Sequence, residues 1–276
     1  MPTTTLSPRS SFVTPKYRRT LPVPSVKNCA TYAYLIGNPK SQAPAALSSE
    51  DYLSNNTSPS GITFLSFWNA SSLDNVSLDV GPNGSGALDY GDTILIDSDK
   101  AKGVVIRNSS FVTGTANSPV SNDKDLVAFG TSSFKDSQSW NGITGLGVDT
   151  RDEVDLLNST VRTGNDNDTI VFASQNTNSV IQDSTISVGH GADFIHFNWT
   201  QSIRGGNKID LGGGASGDDL RDTIVFATNN FSGVSSASPL IIEGFEDNVD
   251  FFRVGSTNYR TQAAVNQAFG SRIVFS

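Results

Sequence analysis

Apolar and polar residues alternate in two short phrases that recur along the chain. The first phrase reads DLLNSTVRTG at Asp155–Gly164, VIQDSTISVG at Val180–Gly189 and IRGGNKIDLG at Ile203–Gly212. A polar turn rich in Gly and Asp follows each, and then the second phrase: DTIVFA at Asp168–Ala173, DFIHFN at Asp193–Asn198, DTIVFA at Asp222–Ala227. Upstream, VIRNSSFVTG (Val105–Gly114) and SLDNVSLDVG (Ser72–Gly81) match the first phrase, while DLVAF (Asp125–Phe129) and DTILI (Asp92–Ile96) match the second. DFFRV at Asp250–Val254 is a last copy of the second. Gly164, Gly189 and Gly212 lie 25 and 23 residues apart, a period that marks stacked repeats. Residues 134 to 153 break the frame and read as an irregular coil or an insertion.

Within each copy the apolar residues alternate, as one buried face of a strand requires. In the first phrase the pairs are Leu78/Val80, Phe111/Thr113, Val161/Thr163, Ile186/Val188 and Ile209/Leu211. In the second they are Ile94/Ile96, Val127/Phe129, Ile170/Phe172, Ile195/Phe197, Ile224/Phe226 and Phe252/Val254. Stacked copy on copy at about 4.8 Å, these pairs fill a long narrow core. Val171, His196 and Val225 then face away from it. The middle of the first phrase holds Asn75, Asn108, Asn158 or Asp183, residues that adopt the left-handed conformation at a tight bend and bond their own backbone. This pattern resembles the asparagine turn of right-handed parallel β-helices. The expected fold class is therefore all-β: a parallel β-helix (β-solenoid) body over 61–255, an extended basic arm and linker over 1–60, and a small helix–strand cap over 256–276.

The flanks fit that division. Ala30–Ile36 (ATYAYLI) is a short strand candidate in an otherwise Pro- and Thr-rich arm, and 38–60 reads as linker. Ile62–Trp68 (ITFLSFW) is a strand that either caps the stack or starts it. At the other end Thr261–Phe269 is helical, with Gly270 as its stop signal, and Arg272–Phe275 adds a last strand.

Charge changes the picture most. The first 40 residues carry six basic side chains (Arg9, Lys16, Arg18, Arg19, Lys27, Lys40) and no acid. Of 19 basic and 27 acidic residues in the chain, 13 and 27 remain for the rest, a net −14. A basic arm on an acidic body calls for an acidic docking surface, a neighbouring copy among them. The docking residues are Arg9, Lys16, Arg18 and Arg19, with Tyr32 and Tyr34 on the arm's strand. Six basic residues spread over the arm make a poor nucleic-acid footprint. No run of 18 apolar residues offers a membrane span, and MPTTTLSPRSSF lacks the apolar core of a secretory signal. Cys29 stands alone, so there is no disulfide framework.

The aspartates that open the second phrase, Asp92, Asp125, Asp168, Asp193, Asp222 and Asp250, are the strongest chemical signal. With the glycines before them they resemble half-sites of the hemolysin-type (RTX) repeat, and Asp222–Val254 resembles the end of an RTX module. That resemblance implies calcium at Asp166, Asp168, Asp193, Asp218, Asp219 and Asp222, since calcium takes several hard oxygens. RTX repeats are tandem nonapeptides, however, and no two are adjacent here. The simpler expectation is that each Asp caps a turn through its own backbone, with no resident cofactor and calcium as the alternative. His190 reads as a turn residue. Trp140 and Trp199 read as covers of apolar surface, or as sugar platforms if a glycan binds.

There is no G-x-S-x-G, H-E-x-x-H or P-loop, and a stacked acid column is explained by the repeat itself. The expectation is a non-enzymatic structural protein of an assembled particle, a phage virion component (tail, fibre or capsid-associated), present in many copies beside other structural proteins. Two alternatives stand: a secreted RTX-like calcium-binding surface protein or adhesin, outside the cell, and a polysaccharide-cleaving β-helix depolymerase.

Overall fold

The computed structural model describes residues 30–36, 45–47, 53–54, 61–79, 93–98, 103–114, 125–130, 134–140, 143–146, 153–173, 178–197, 202–213, 218, 220–229, 231 and 233–276. Among the described residues the chain is all-β with one short α-helix. Strands come mostly in threes. β1 (Ala30–Ile36) is followed by β2 (Ala45–Leu47), β3 (Leu53–Ser54) and the long β4 (Gly61–Asp74), and then by β5 (Ser77–Asp79) and β6 (Thr93–Ser98). Next are β7 (Val104–Arg107), β8 (Ser110–Val112) and β9 (Leu126–Phe129). After β10 (Phe134–Trp140) and β11 (Ile143–Leu146) the threes resume with β12 (Val154–Leu157), β13 (Thr160–Arg162) and β14 (Thr169–Phe172). Two more follow: β15 (Val180–Gln182), β16 (Thr185–Ser187), β17 (Phe194–Phe197), and β18 (Ser202–Ile203), β19 (Lys208–Asp210), β20 (Thr223–Phe226). The chain ends with β21 (Leu240–Glu243), β22 (Phe251–Val254), β23 (Thr257–Tyr259), α1 (Gln262–Phe269) and β24 (Ile273–Phe275).

Like strands pair with like in parallel, forming three columns. One holds β1, the first half of β4, β6, β9, β14, β17, β20 and β22. A second holds β2, the second half of β4, β7, β12, β15 and β18. The third holds β3, β5, β8, β13, β16, β19, β21 and β24. Crossing between the first two, β4 joins them into one sheet. The expected linker thus supplies β2 and β3. The frame-breaking stretch after residue 134 contributes an antiparallel hairpin, β10–β11, which is an insertion with its own order rather than irregular coil.

The register is the one the alternation predicts. Ile94, Val127, Ile170, Ile195, Ile224 and Phe252 pair in succession, and all are fully buried. Val161 pairs with Phe111 and Ile186, and Ile186 with Ile209. Phe129, Phe172, Phe197 and Phe226 form a ring stack with centroids 4.8, 5.0 and 4.5 Å apart and planes within 8°. Strand pairing imposes that near-parallel geometry, and ring contacts add about 0.5–1.5 kcal/mol per pair beyond burial.

Asn75, Asn108, Asn158 and Asp183 take φ of 46–56°, as expected for the bend. Two of the side chains reach across repeats, Asn158 Nδ2 donating to Asn108 Oδ1 at 2.6 Å and Asn108 Nδ2 to Asp74 Oδ1 at 3.4 Å, while Asn75 donates to Asp74 and Asp183 accepts from Gln182 beside it. The glycine closing each first phrase has a steric reason. A Cβ on Gly189 would overlap the Gly164 carbonyl oxygen, and one on Gly212 the Gly189 oxygen, so these turns stack backbone on backbone.

One expectation about faces is corrected. Val171 lies on the face of β14 opposite the stacked core, yet it is 0% exposed, as is Ala128, and Val225 is 8% exposed. β9 and β14 are buried on both faces. The continuous apolar runs LVAF and TIVF carry that signal, because a strand buried on both faces loses the polar alternation.

The helix stops at Gly270 as the sequence predicts, and it begins one residue later than expected, with Thr261 as its N-cap. Thr261 accepts the Ala264 N–H at 3.2 Å, and Gly270 ends the helix at φ 61°. Val265 and Phe269 are buried. Phe269 meets Phe231, Phe252 and Tyr259 edge-on, which closes the apolar end of the columns.

Candidate functional site

The structure brings the second-phrase aspartates into one buried column. Asp125, Asp168, Asp193, Asp222 and Asp250 are each at most 2% exposed. Each precedes a strand of the first column by one residue, so strand register alone aligns them. Four of these carboxylates accept the backbone N–H of the aspartate one repeat earlier. Asp168 Oδ1 takes Asp125 N–H at 2.9 Å, Asp193 takes Asp168 at 2.7 Å, Asp222 takes Asp193 at 2.8 Å and Asp250 takes Asp222 at 2.8 Å. The aspartates do cap, but they cap the neighbouring repeat instead of their own turn. The physical reason is that parallel stacking leaves the N–H just before each strand pointing along the column, where only the next repeat supplies an acceptor.

A second acidic line runs beside it. Asp218 accepts the N–H of Gly191 at 2.7 Å and of Leu220 at 2.9 Å. Glu246 accepts the Asp218 N–H at 3.0 Å, and Asp250 Oδ2 accepts that of Glu246 at 2.7 Å. Burial raises the pKa of Asp193 well above the usual carboxylate range, with repulsion from Asp168 and Asp222 adding to it. Burial likewise takes Asp222 to about 9 and Asp250 to about 6.

Of the residues with an implied calcium role, Asp168, Asp193 and Asp222 share the column, with Asp218 beside it. Asp166 sits in a turn at φ 84°, its N–H donating to the His190 carbonyl at 2.7 Å. Asp219, like Asp92, lies outside the described residues. Among the described residues no group of three or more His, Cys, Asp or Glu is arranged to hold a metal ion. The column's carboxylates act as backbone acceptors.

A ladder of hydroxyls escaped the sequence reading. Ser109, Ser159, Ser184 and Asn207, all buried, follow the bend residues. Ser109 Oγ accepts the Val76 N–H, Ser159 that of Ser109 and Ser184 that of Ser159 at 3.1–3.2 Å, and Asn207 Oδ1 takes Ser184 N–H at 3.0 Å. Each serine donates in turn to the carbonyl two residues before it, at 2.7–2.9 Å. The signal was present in the recurring Ser after Asn or Asp, which composition alone also explains.

The remaining candidates are scattered. His190 is exposed, its Nδ1 3.6 Å from Asp218 Oδ2. Burial, with Arg253 second, lowers His196 to about 4, so its ring is neutral at physiological pH. Trp140 belongs to β10; Trp199 lies outside the described residues, as do Arg9, Lys16, Arg18 and Arg19. Tyr32 and Tyr34 lie on β1, paired with Thr63 and Leu65 of the same chain. Comparison with family models, curated proteins and solved structures gives no match.

Proposed function

We propose that this chain is a three-sided parallel β-solenoid serving as a non-enzymatic structural component of an assembled particle, of the phage virion type. Its basic N-terminal arm docks on the acidic surface of neighbouring subunits. The observation that carries the reading is the use of the recurrent polar residues: the buried aspartates, serines and Asn207 all serve the backbone of the adjacent repeat. Side chains engaged in building a column are not presented to a substrate. The docking half rests on the six basic residues and no acid in the first 40 positions.

β1 is part of a column, so the arm to be removed ends before Ala30. Deleting residues 1–29 is expected to leave the far-UV circular dichroism of the body intact and to abolish incorporation into the particle. Arg18→Glu with Arg19→Glu is expected to weaken docking, most strongly at low salt, where charge attraction is least screened. Normal incorporation of the truncated chain would overturn the reading.

A further inference from the structure

The first column ends in a strand unlike the others in it. β23 turns back on β22 and pairs with it antiparallel, Phe252 facing Tyr259, Arg253 facing Asn258 and Val254 facing Thr257. It is the last strand of the 14-stranded sheet, and among the described residues no strand pairs with its far edge. Ser256, Thr257 and Asn258 are exposed. An edge strand presents a row of N–H and C=O groups with which an incoming strand can pair.

Positive charge gathers on the outer face beside this edge. Phe252 and Tyr259 pack toward the core, so Phe251 and Arg253 lie on the opposite face of β22. The guanidinium of Arg260 lies over the Phe251 ring, 4.3 Å from its centre, and that of Arg221 at 5.6 Å. Arg253 Nε donates to the Gly255 carbonyl at 2.9 Å, which holds its side chain over the β22–β23 turn. All three arginines are exposed. Among the described residues the ion pairs are His190 with Asp218 and Lys208 with Glu243, and neither includes these arginines. Asp247 accepts the Gln262 N–H at 2.7 Å. The outward positions of the last strands, Thr223, Phe251, Arg253 and Asn258, hold no acid. A body of net −14 thus has a basic corner next to an open sheet edge.

We propose that β23 is a docking edge for an extended acidic segment of a partner protein, which joins the sheet as one more strand and sets its carboxylates on Arg253, Arg260 and Arg221. Main-chain hydrogen bonds to the edge hold such a strand, and side-chain charge selects it. A guanidinium takes a carboxylate through two parallel N–H groups. Alternate side chains of an extended segment fall on one face, so acids at every second position meet the arginines. A second copy paired through the same edge would bring the arginines of both copies together, and like charges across strands oppose that. The chain's own arm, with six basic residues and no acid in its first 40 positions, carries the same sign as the corner. The edge lies at the opposite end of the first column from β1, so this contact goes beyond the docking of the arm and does not depend on it.

The test is fluorescence anisotropy of the full chain with a labelled synthetic peptide of alternating Glu and Thr, in EDTA at low salt. Two further peptides are compared: one of alternating Lys and Thr, and an N-methylated form of the acidic peptide that keeps its charges and lacks the N–H donors of a strand. Only the first is expected to bind, and more weakly as salt rises. Arg253→Gln with Arg260→Gln is expected to weaken binding about tenfold, the effect of two exposed charge pairs, while Arg107→Gln on the second column leaves it unchanged. Should the double variant fail to fold, the three peptides on the wild-type chain decide. No binding of the acidic peptide, or a folded double variant that binds it as wild type does, would overturn the docking edge. So would equal binding of the N-methylated peptide, which would make the corner a site for polyanions at large. Binding lost only with Arg18→Glu and Arg19→Glu would place the peptide on the arm, sinking the edge and leaving the arm's docking untouched.

Discussion

Phe172 and Val171 are neighbours on β14 that face opposite ways, and both are buried. Phe172 belongs to the ring stack, with Phe129 at 4.8 Å and Phe197 at 5.0 Å. Its truncation to Ala removes contacts on both sides and is expected to lower stability by about 3–5 kcal/mol. Val171→Asp places a carboxylate where no water reaches, as Phe172→Asp does, and both are expected to prevent soluble folding. On β13 the two faces differ: Val161 is buried and Arg162 is partly exposed. Arg162→Asn is therefore expected to change stability by no more than about 0.5 kcal/mol. Expression and urea midpoints of the four variants check this, and a soluble, stable Val171→Asp protein would show that the second face of β14 is open.

At the scale of the element, each bend between the second and third columns solves two problems at once. At Asn108, Asn158 and Asp183 the left-handed residue turns the chain within one residue, and the serine after it holds the turn to the repeat before. Ser184→Ala leaves the buried Ser159 N–H without its acceptor, which costs about 1–3 kcal/mol. Asn207 does the same work one repeat later with a side-chain amide oxygen, 3.0 Å from Ser184 N–H. Ser184→Asn is accordingly expected to retain more stability than Ser184→Ala in urea unfolding. Equal losses for the two would mean that the ladder follows the fold without supporting it.

At the scale of the molecule, columns built from repeats have two ends, and each end leaves apolar side chains and strand edges to be covered. Here α1 lays Val265 and Phe269 over the last repeat, and β24 pairs with β21. Deleting residues 256–276 is expected to expose Phe231 and Phe252 and to convert a monodisperse protein into aggregates, seen by size exclusion with light scattering. A truncated chain that stays monodisperse and melts as wild type would remove the cap from the account. At the opposite end β1 pairs along the first half of β4, so the strand within the basic arm extends a column of its own chain.

The repeat, the alternating core pairs, the left-handed bends and the C-terminal helix were legible in the sequence because each is set by local chemistry: side-chain period, the φ tolerance of Asn, and a helical run that stops at Gly. What each polar repeat residue bonds was not legible. Asp168 and Ser159 carry the same local signals as any turn-capping residue, and only the stacking of one repeat on the next places a foreign N–H within their reach. The second covered face of β14 belongs to the same class, since burial of Val171 depends on what packs across the sheet rather than on its neighbours in the chain. Tertiary structure likewise decided the acid–base character of the aspartates. A lone Asp in a polar turn ionises freely, but parallel register lines up five carboxyls at strand spacing in a place that excludes water, and that arrangement exists in no single repeat.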